Sequence, residues 1–122
     1  MKNNKLYIIL FCILFFSFSS FSQTEFKKIN FELLYSKKNP IVGANIVVEN
    51  SNPIIGTSSD LNGKAELDVK NENAKVLISY LGPSDLNFEI VRNTYLIKVN
   101  IQKNTIIFYN SNLKKIKRVK IE

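Results

Sequence analysis

The sequence predicts an all-β protein, a sandwich of about seven antiparallel strands. Three observations lead to this prediction. Apolar residues alternate with polar ones along most of the chain, turn-forming residues recur about every ten positions, and no alternating stretch fits a helical period better. Because alternation with a period of two buries one face of a strand and leaves the other in solvent, we expect short strands around one core.

The first segment, residues 1–22, is predicted to be a signal peptide. Lys2 and Lys5 give it a basic start, an apolar run follows over residues 6–16, and Ser20-Phe21-Ser22 places small residues around a cleavage site. The apolar run is 11 residues long, whereas a membrane-spanning helix needs about 20. The run therefore favours a cleaved signal over an uncleaved membrane anchor, and no transmembrane span is expected after cleavage.

The position of the cysteine and the net charge indicate how the exported part is stabilised and what it could attract. The single cysteine, Cys12, lies within the apolar run, without the small-residue context of a lipid-modified cysteine. Cleavage leaves 100 residues, the size of one domain, whose stability must come from burial and backbone pairing instead of disulfides. Loss of Lys2 and Lys5 lowers the net charge from +7 to +5. That excess favours solubility and attraction to anionic surfaces, and it says nothing about the fold.

Six stretches of the exported part alternate clearly, and each places its apolar residues on one face. These faces are Ile29, Phe31, Leu33 and Tyr35; Ala44, Ile46 and Val48; Ala65, Leu67 and Val69; Val76, Ile78 and Tyr80; Leu86, Phe88 and Ile90; and Tyr95, Ile97, Val99 and Ile101. Tyr35, Tyr80 and Tyr95 are accordingly expected in the core, with their hydroxyls at its rim. Turn-forming clusters separate the stretches at residues 36–40, 50–53, 60–63, 70–74, 82–84 and 92–93.

The turn over residues 60–63, Asp-Leu-Asn-Gly, follows a short strand and is tight. Asp60 is expected to cap it through its side chain. Gly63 is expected to take a positive φ, which a residue with a Cβ reaches only at a cost of about 1 to 2 kcal/mol. Asp60 and Asn62 also resemble the opening of a calcium loop, but the twelfth position of such a loop would be Asn71 instead of glutamate. Asp60, Asn62 and Gly63 are therefore predicted to form a structural turn without a metal.

The C-terminal residues, 104–122, are expected to follow the main domain, residues 23–103, as a basic strand or tail. Ile106 and Phe108 indicate one more strand, and the sequence Asn-Ser-Asn after it indicates a turn. The last ten residues fit either an edge strand or a frayed helix. We favour the edge strand, whose apolar residues would be Ile116, Val119 and Ile121.

Five basic residues of this tail form the candidate interaction surface: Lys114, Lys115, Lys117, Arg118 and Lys120. Such a cluster can meet lipid headgroups, acidic glycans or nucleic acid. Export argues against nucleic acid, and the aromatic residues on which single strands stack are missing from the cluster. A lysine-rich edge strand also deters sheet-to-sheet aggregation, so a purely structural explanation stays open.

Catalytic chemistry has little support in this sequence, because it contains no histidine and its cysteine lies in the predicted signal peptide. Ser-His-Asp and Cys-His catalysis, and zinc sites with His or Cys ligands, are thereby excluded. Glu66 and Asp68 lie about 6.6 Å apart along one strand face, a spacing that a glycosidase pair could use. Nothing around them suggests a cleft. A solvated face is the better interpretation, and neither an enzyme nor a cofactor is predicted.

An ordered set of segments lies within residues 27–101: Gly-Ala-Asn-Ile-Val-Val at 43–48, Gly-Thr-Ser-Ser-Asp-Leu-Asn-Gly at 56–63 and Val-Leu-Ile-Ser-Tyr-Leu-Gly at 76–82. The set resembles the carboxypeptidase regulatory-like domain, a transthyretin-like β-sandwich. Two positions depart from that family's pattern. Ala65 stands where the family usually has an aromatic residue two positions after the turn glycine, and Pro83 stands where an aromatic residue often follows the last glycine. The core is expected to be repacked at both places.

The resemblance implies a Greek-key, immunoglobulin-like (prealbumin-like) sandwich. It also implies a non-catalytic structural or protein-interaction module of a Gram-negative cell envelope, exported to the periplasm or the outer cell surface. Domains of this family occur attached to carboxypeptidases or ahead of the plug of TonB-dependent receptors, so the implied partner is an outer-membrane or envelope protein. The alternative is a secreted glycan-binding or adhesion module, which would need exposed aromatic residues forming a platform on a sheet face or loop end. The solvent accessibility of Tyr80, Tyr95, Phe108 and Tyr109 distinguishes the two.

Overall fold

A computed structural model of the chain describes residues 26–70, 74–80 and 85–121. These residues form strands and connecting loops without a helix, and the strands make two sheets. The predicted all-β class is therefore confirmed. The predicted signal peptide lies outside the described residues, as do parts of the turns predicted at 70–74 and 82–84.

Ten strands are present in the described residues, where the sequence predicted about seven. They are β1 (Lys27–Ser36), β2 (Asn39–Pro40), β3 (Asn45–Val48), β4 (Gly56–Ser58), β5 (Lys64–Val69), β6 (Lys75–Ser79), β7 (Leu86–Glu89), β8 (Leu96–Asn100), β9 (Thr105–Tyr109) and β10 (Lys115–Lys120). β2 was not predicted because two residues are too few to alternate. The residues after 103 contribute β9 and β10 to the same sheet as β8.

The larger sheet, sheet A, is built around β1. On one side of β1 the order is β8, β9 and β10, and the other side of β1 pairs first with β5 and then with β2. Seven of the eight strand pairings in the two sheets are antiparallel, but β1 and β8 are parallel. The prediction of antiparallel strands throughout is wrong for this pair. Alternation specifies the buried face of a strand and not its direction, and the long crossover that parallel neighbours need runs here through the other sheet.

The smaller sheet, sheet B, has the order β4-β3-β6-β7 with antiparallel neighbours. Apolar residues of both sheets form one buried cluster, a β-sandwich-like arrangement. The largest of the fully buried apolar side chains are Ile29, Phe31 and Leu33 of β1, Ile46 of β3, Val76 and Ile78 of β6, Ile97 and Val99 of β8, and Phe108 of β9. Each lies on an apolar face that the sequence predicted for its strand.

Two tyrosines expected in the core lie at its margin. Tyr35 is 58% exposed and Tyr95 is 43% exposed, whereas Tyr80 is half-buried and packs against the core. Tyr35 is the second-last residue of β1, and Tyr95 immediately precedes β8. Alternation predicts the face on which a side chain lies, but not where along the strand the opposite sheet ceases to cover it.

Candidate interaction surface

The five basic residues predicted as an interaction surface lie at one edge of sheet A. Lys114 immediately precedes β10, and the other four lie within it. All five residues are exposed. β10 is the last strand of the sheet and, among the residues that the structure describes, pairs only with β9. Of the two structures left open for this segment by the sequence, the edge strand is the one that forms.

A β-bulge in β10 determines on which face of the sheet each of these side chains lies. The register pairs are Lys115 with Tyr109, Lys117 with Phe108, Arg118 with Ile107, Val119 with Ile106, and Lys120 with Thr105. β10 therefore has one extra residue, Ile116, between its first two pairs. In a regular strand Lys115 would share a face with Lys117. Because of the bulge it shares a face with Arg118 and Lys120 instead.

The two faces of β10 differ in chemistry. Directly paired residues share a face of a sheet, and Ile106 and Phe108 of β9 are buried. Their partners Val119 and Lys117 therefore lie on the core side, where Val119 packs against the core, as does Ile121 just after the strand. The remaining three partners lie on the outer face. That outer face of β10 consists of cations alone: Lys115, Arg118 and Lys120.

Two apolar residues stay exposed beside these cations. Ile116 is 39% exposed and Leu113 is 61% exposed. The sequence analysis names Ile116 with Val119 and Ile121 as the apolar residues of this strand, but Ile116 is the extra residue of the bulge and does not join the packing of the other two against the core. The surface of the strand and its preceding turn is therefore amphipathic, with exposed aliphatic groups among the basic ones.

Leu113 is the fourth residue of the turn between β9 and β10, and its conformation is unusual for its residue type. Its φ is +59°, in the left-handed region that disfavours a residue with a Cβ by about 1 to 2 kcal/mol. Asn110 holds the turn, since its Oδ1 accepts hydrogen bonds from the backbone N–H groups of Asn112 and Lys114, each at 3.0 Å. The turn thus presents a large apolar side chain from an unfavourable backbone conformation, next to the basic strand.

The carboxylates that pair with cations on sheet A lie away from this edge. Lys28 pairs with Glu66 at 3.5 Å and Lys98 pairs with Glu32 at 3.9 Å. Lys98 Nζ also lies 5.5 Å from the ring centroid of Tyr109. Within the described ranges, no carboxylate forms an ion pair with a cation of β10. The outer-face cations of β10 are also all exposed to solvent.

The turn over residues 60–63 is held by its own hydrogen bonds. Asp60 Oδ1 accepts from the backbone N–H groups of Asn62 and Lys64, each at 2.9 Å. The φ of Gly63 is +74°, and an added Cβ would clash with the carbonyl oxygen of Leu33. Asp60 is thus engaged with the backbone. In the part of the chain that the structure describes, no group of three or more His, Cys, Asp or Glu residues is arranged to hold a metal ion.

Glu66 and Asp68 are both exposed on the outer face of β5. Glu66 is engaged with Lys28 across the β1–β5 pairing. An open groove of about 730 Å³ crosses this face, and its lining includes Asn30, Glu66 and Lys64. The two carboxylates singled out by the sequence therefore sit on a solvated sheet face.

The four aromatic residues whose accessibility would indicate a glycan platform do not share one exposed surface. Phe108 is 1% exposed and makes an edge-to-face contact with Phe88, with ring centroids 5.9 Å apart. Tyr80 and Tyr109 are half-buried, and Tyr95 is the one of the four that is largely accessible.

No protein-family model, curated protein or solved structure matches the chain. A search of the described residues for a helix long and apolar enough to cross a bilayer finds none. The geometry of the described residues, with β10 as its most distinctive surface, is therefore what supports a functional proposal.

Proposed function

We propose that this chain is a non-catalytic structural or protein-interaction module of the cell envelope, and that β10 is its contact surface. The observation that carries the proposal is the outer face of β10, where Lys115, Arg118 and Lys120 are aligned by the bulge and exposed. A row of cations that forms no ion pair with any carboxylate of the described residues attracts an anionic partner and guides its approach. The partner in this proposal is an outer-membrane or envelope protein, met after export to the periplasm or outer cell surface.

The arrangement of sheet B supports the resemblance to the carboxypeptidase regulatory-like domain. The three segments that carry the resemblance contribute β3, β4 and β6. β3 pairs with both of the others, so the three segments are neighbours in space as well as ordered in sequence. On this basis we propose the Greek-key, immunoglobulin-like (prealbumin-like) topology for the sandwich. The signal peptide at residues 1–22 is proposed from its basic start, apolar run and cleavage pattern.

The glycan-binding alternative has weaker support. It would use a platform of exposed aromatic residues, and of the four candidates Phe108 is buried in the core while Tyr80 and Tyr109 are half-buried. The protein-interaction module uses the exposed cations of β10 instead, and the position of that strand is set by its pairing with β9.

Crosslinking in the envelope fraction, followed by affinity capture of the full chain, tests this proposal. The test variant is K115E/R118E/K120E, which reverses the outer face of β10. A matched control, K37E/K38E/K103E, makes the same change of net charge at three exposed lysines outside β10. Truncation after Gln102 would be a poor test, because it would remove Ile106 and Phe108 from the core.

We expect the unchanged chain and the control to capture the same envelope protein and the β10 variant to lose it. Recovery of polysaccharide without a protein would support the glycan alternative. Equal capture by both variants would contradict the assignment of the contact to β10.

A further inference from the structure

The edge strands of the two sheets differ in how readily another strand could pair with them. β2 has two residues and ends in Pro40, β4 has three residues and β7 has four. β5 has six residues, but β4 of the other sheet lies beside it. β10 also has six residues, and in the described part of the chain its second side has no strand next to it. Short strands and proline protect an edge from pairing, and β10 has neither. Its protection consists of its charged side chains and the bulge at Ile116.

The faces of β10 specify what a further strand would need. A neighbouring strand places its side chains beside those of β10 on both faces of the sheet. On the outer face they would meet Lys115, Arg118 and Lys120, so acidic residues fit there. On the core side they would meet Lys117 and then the partly exposed margins of Val119 and Ile121. Apolar residues fit beside Val119 and Ile121. The complementary strand therefore alternates acidic and apolar residues.

Protection of the β10 edge against aggregation does not explain why Leu113 and Ile116 are exposed. Lysines alone are enough to discourage aggregation at an edge. Exposed aliphatic side chains work against that purpose, and the left-handed φ of Leu113 carries a conformational cost that glycine at this position would avoid. Both residues can instead supply apolar contacts to a partner that is held by the adjacent cations.

Two other occupants fit β10 less well. A second copy of the chain, added edge to edge, would bring two sets of outer-face cations together, and like charges on neighbouring strands destabilise a sheet. An anionic lipid surface would satisfy the cations but would leave the backbone N–H and C=O groups of the edge unpaired. An acidic strand satisfies both the charge and the backbone.

Building on the function proposed above, we infer that the partner supplies an extended segment of alternating acidic and apolar residues, which adds to β10 as the next strand of sheet A. Its backbone hydrogen bonds provide affinity, and the two faces of β10 provide specificity, as in other cases of strand addition. The acidic side chains lie over Lys115, Arg118 and Lys120, and the apolar ones lie beside Val119 and Ile121.

The test uses the full chain and a synthetic peptide of alternating Glu and Val residues, with binding followed by fluorescence anisotropy. Two derivatives carry backbone N-methyl groups, on every Glu in one and on every Val in the other. Successive residues of a strand direct their N–H groups to opposite edges, so a strand paired through one edge tolerates one derivative and not the other. We expect one derivative to bind like the parent peptide and the other to bind about 100-fold more weakly.

The charge variants complete the experiment. K115E/R118E/K120E should weaken binding of the parent peptide by at least about tenfold, whereas K37E/K38E/K103E should bind it like the unchanged chain. Equal binding of both N-methylated derivatives would overturn strand addition, since it would leave charge alone as the cause. Binding to phosphatidylglycerol vesicles without binding to the peptide would overturn it in favour of a lipid surface.

The outcome is separable from that of the proposed function. If envelope capture depends on β10 but the Glu-Val peptide does not bind, the module stands and strand addition fails. If the peptide binds in the expected way but no envelope protein is captured, the edge accepts a strand and the envelope-module proposal fails.

Discussion

Two turns of this protein share the same hydrogen bonds but differ at one decisive residue. In the turn from Asp60 to Lys64, the side chain of Asp60 accepts hydrogen bonds from two backbone N–H groups, each at 2.9 Å. Asn110 does the same at 3.0 Å in the turn that ends at Lys114. Each turn also has two backbone hydrogen bonds. The N–H of the fourth residue donates to the carbonyl oxygen of the first residue, and the N–H of the first residue donates to the carbonyl oxygen of the fifth. The local chemistry of the turn is therefore duplicated.

The two turns differ in the residue at their fourth position, which is Gly63 in one turn and Leu113 in the other. Both residues have a positive φ, +74° and +59°. At Gly63 a side chain is excluded by the neighbouring backbone of Leu33. Leu113 projects into solvent, 61% exposed, so packing allows its side chain although the backbone conformation disfavours it. The hydrogen bonds within each turn thus determine its geometry. Which residue occupies the fourth position depends on the packing around it and, in our proposal, on contact with a partner.

The largest effect in this comparison is expected from Gly63→Ala. The methyl group adds a clash with the Leu33 carbonyl oxygen to the penalty of a positive φ, and we expect the free energy of unfolding to fall by about 3 kcal/mol. Gly43→Ala is the matched control, because Gly43 has a φ of +72° but no atom within 4 Å of an added Cβ. That control should lose only about 1 to 2 kcal/mol. Equal losses in urea denaturation would show that close packing around Gly63 is not what excludes a side chain.

A smaller effect is expected from Asp60→Ala, which removes the acceptor of two backbone hydrogen bonds. The free energy of unfolding should fall by about 1 to 2 kcal/mol. Asp60→Asn should stay within about 0.5 kcal/mol of the unchanged chain, because Asn110 makes the same two bonds with an amide oxygen in the other turn. Thermal and urea unfolding measure both variants. An Asn variant as unstable as the Ala variant would contradict the equivalence of the two turns.

The smallest effect on stability is expected from Leu113→Gly, and it has the opposite sign. Relief of the left-handed strain outweighs the added chain entropy of glycine, so the free energy of unfolding should rise by about 0.5 kcal/mol. Leu61→Gly is the control at an exposed leucine of the other turn, 80% exposed and without a positive φ. It should lower stability by about 0.5 to 1 kcal/mol.

Binding distinguishes the two leucines further. Leu113→Gly should weaken binding of the Glu-Val peptide about fivefold through loss of an exposed apolar contact, and Leu61→Gly should leave that binding unchanged. A Leu113→Gly variant that is less stable but binds the peptide normally would assign Leu113 to the fold and not to the contact surface.

Much of the fold could be predicted from the sequence, because burial on one face of a strand leaves a local pattern. The alternation at Ile29, Phe31 and Leu33, and again at Ile97 and Val99, marks residues that the structure buries. The parallel pairing of β1 with β8 was not predictable in this way, since direction depends on connections between distant segments. For the same reason the pattern could not show that Tyr35 lies beyond the cover of the opposite sheet.

The candidate site was only partly visible in the sequence. The basic composition of the last residues marks an exposed segment, but their arrangement depends on the bulge at Ile116. The spacing of three between Ile116 and Val119 violates strand alternation and was the available signal, although it also fits a helix. The turn after β9 was expected from its asparagines. The positive φ of Leu113 was not, because leucine is an unfavourable residue for that conformation.

The central claim is that the open side of β10 accepts a strand, and hydrogen–deuterium exchange of the full chain with and without the Glu-Val peptide tests it most directly. We predict that peptide binding slows exchange at alternate amides of β10, those not already bonded to β9, while exchange in β7 and β2 stays unchanged. Peptide binding that leaves the amides of β10 exchanging at their original rate would contradict the claim.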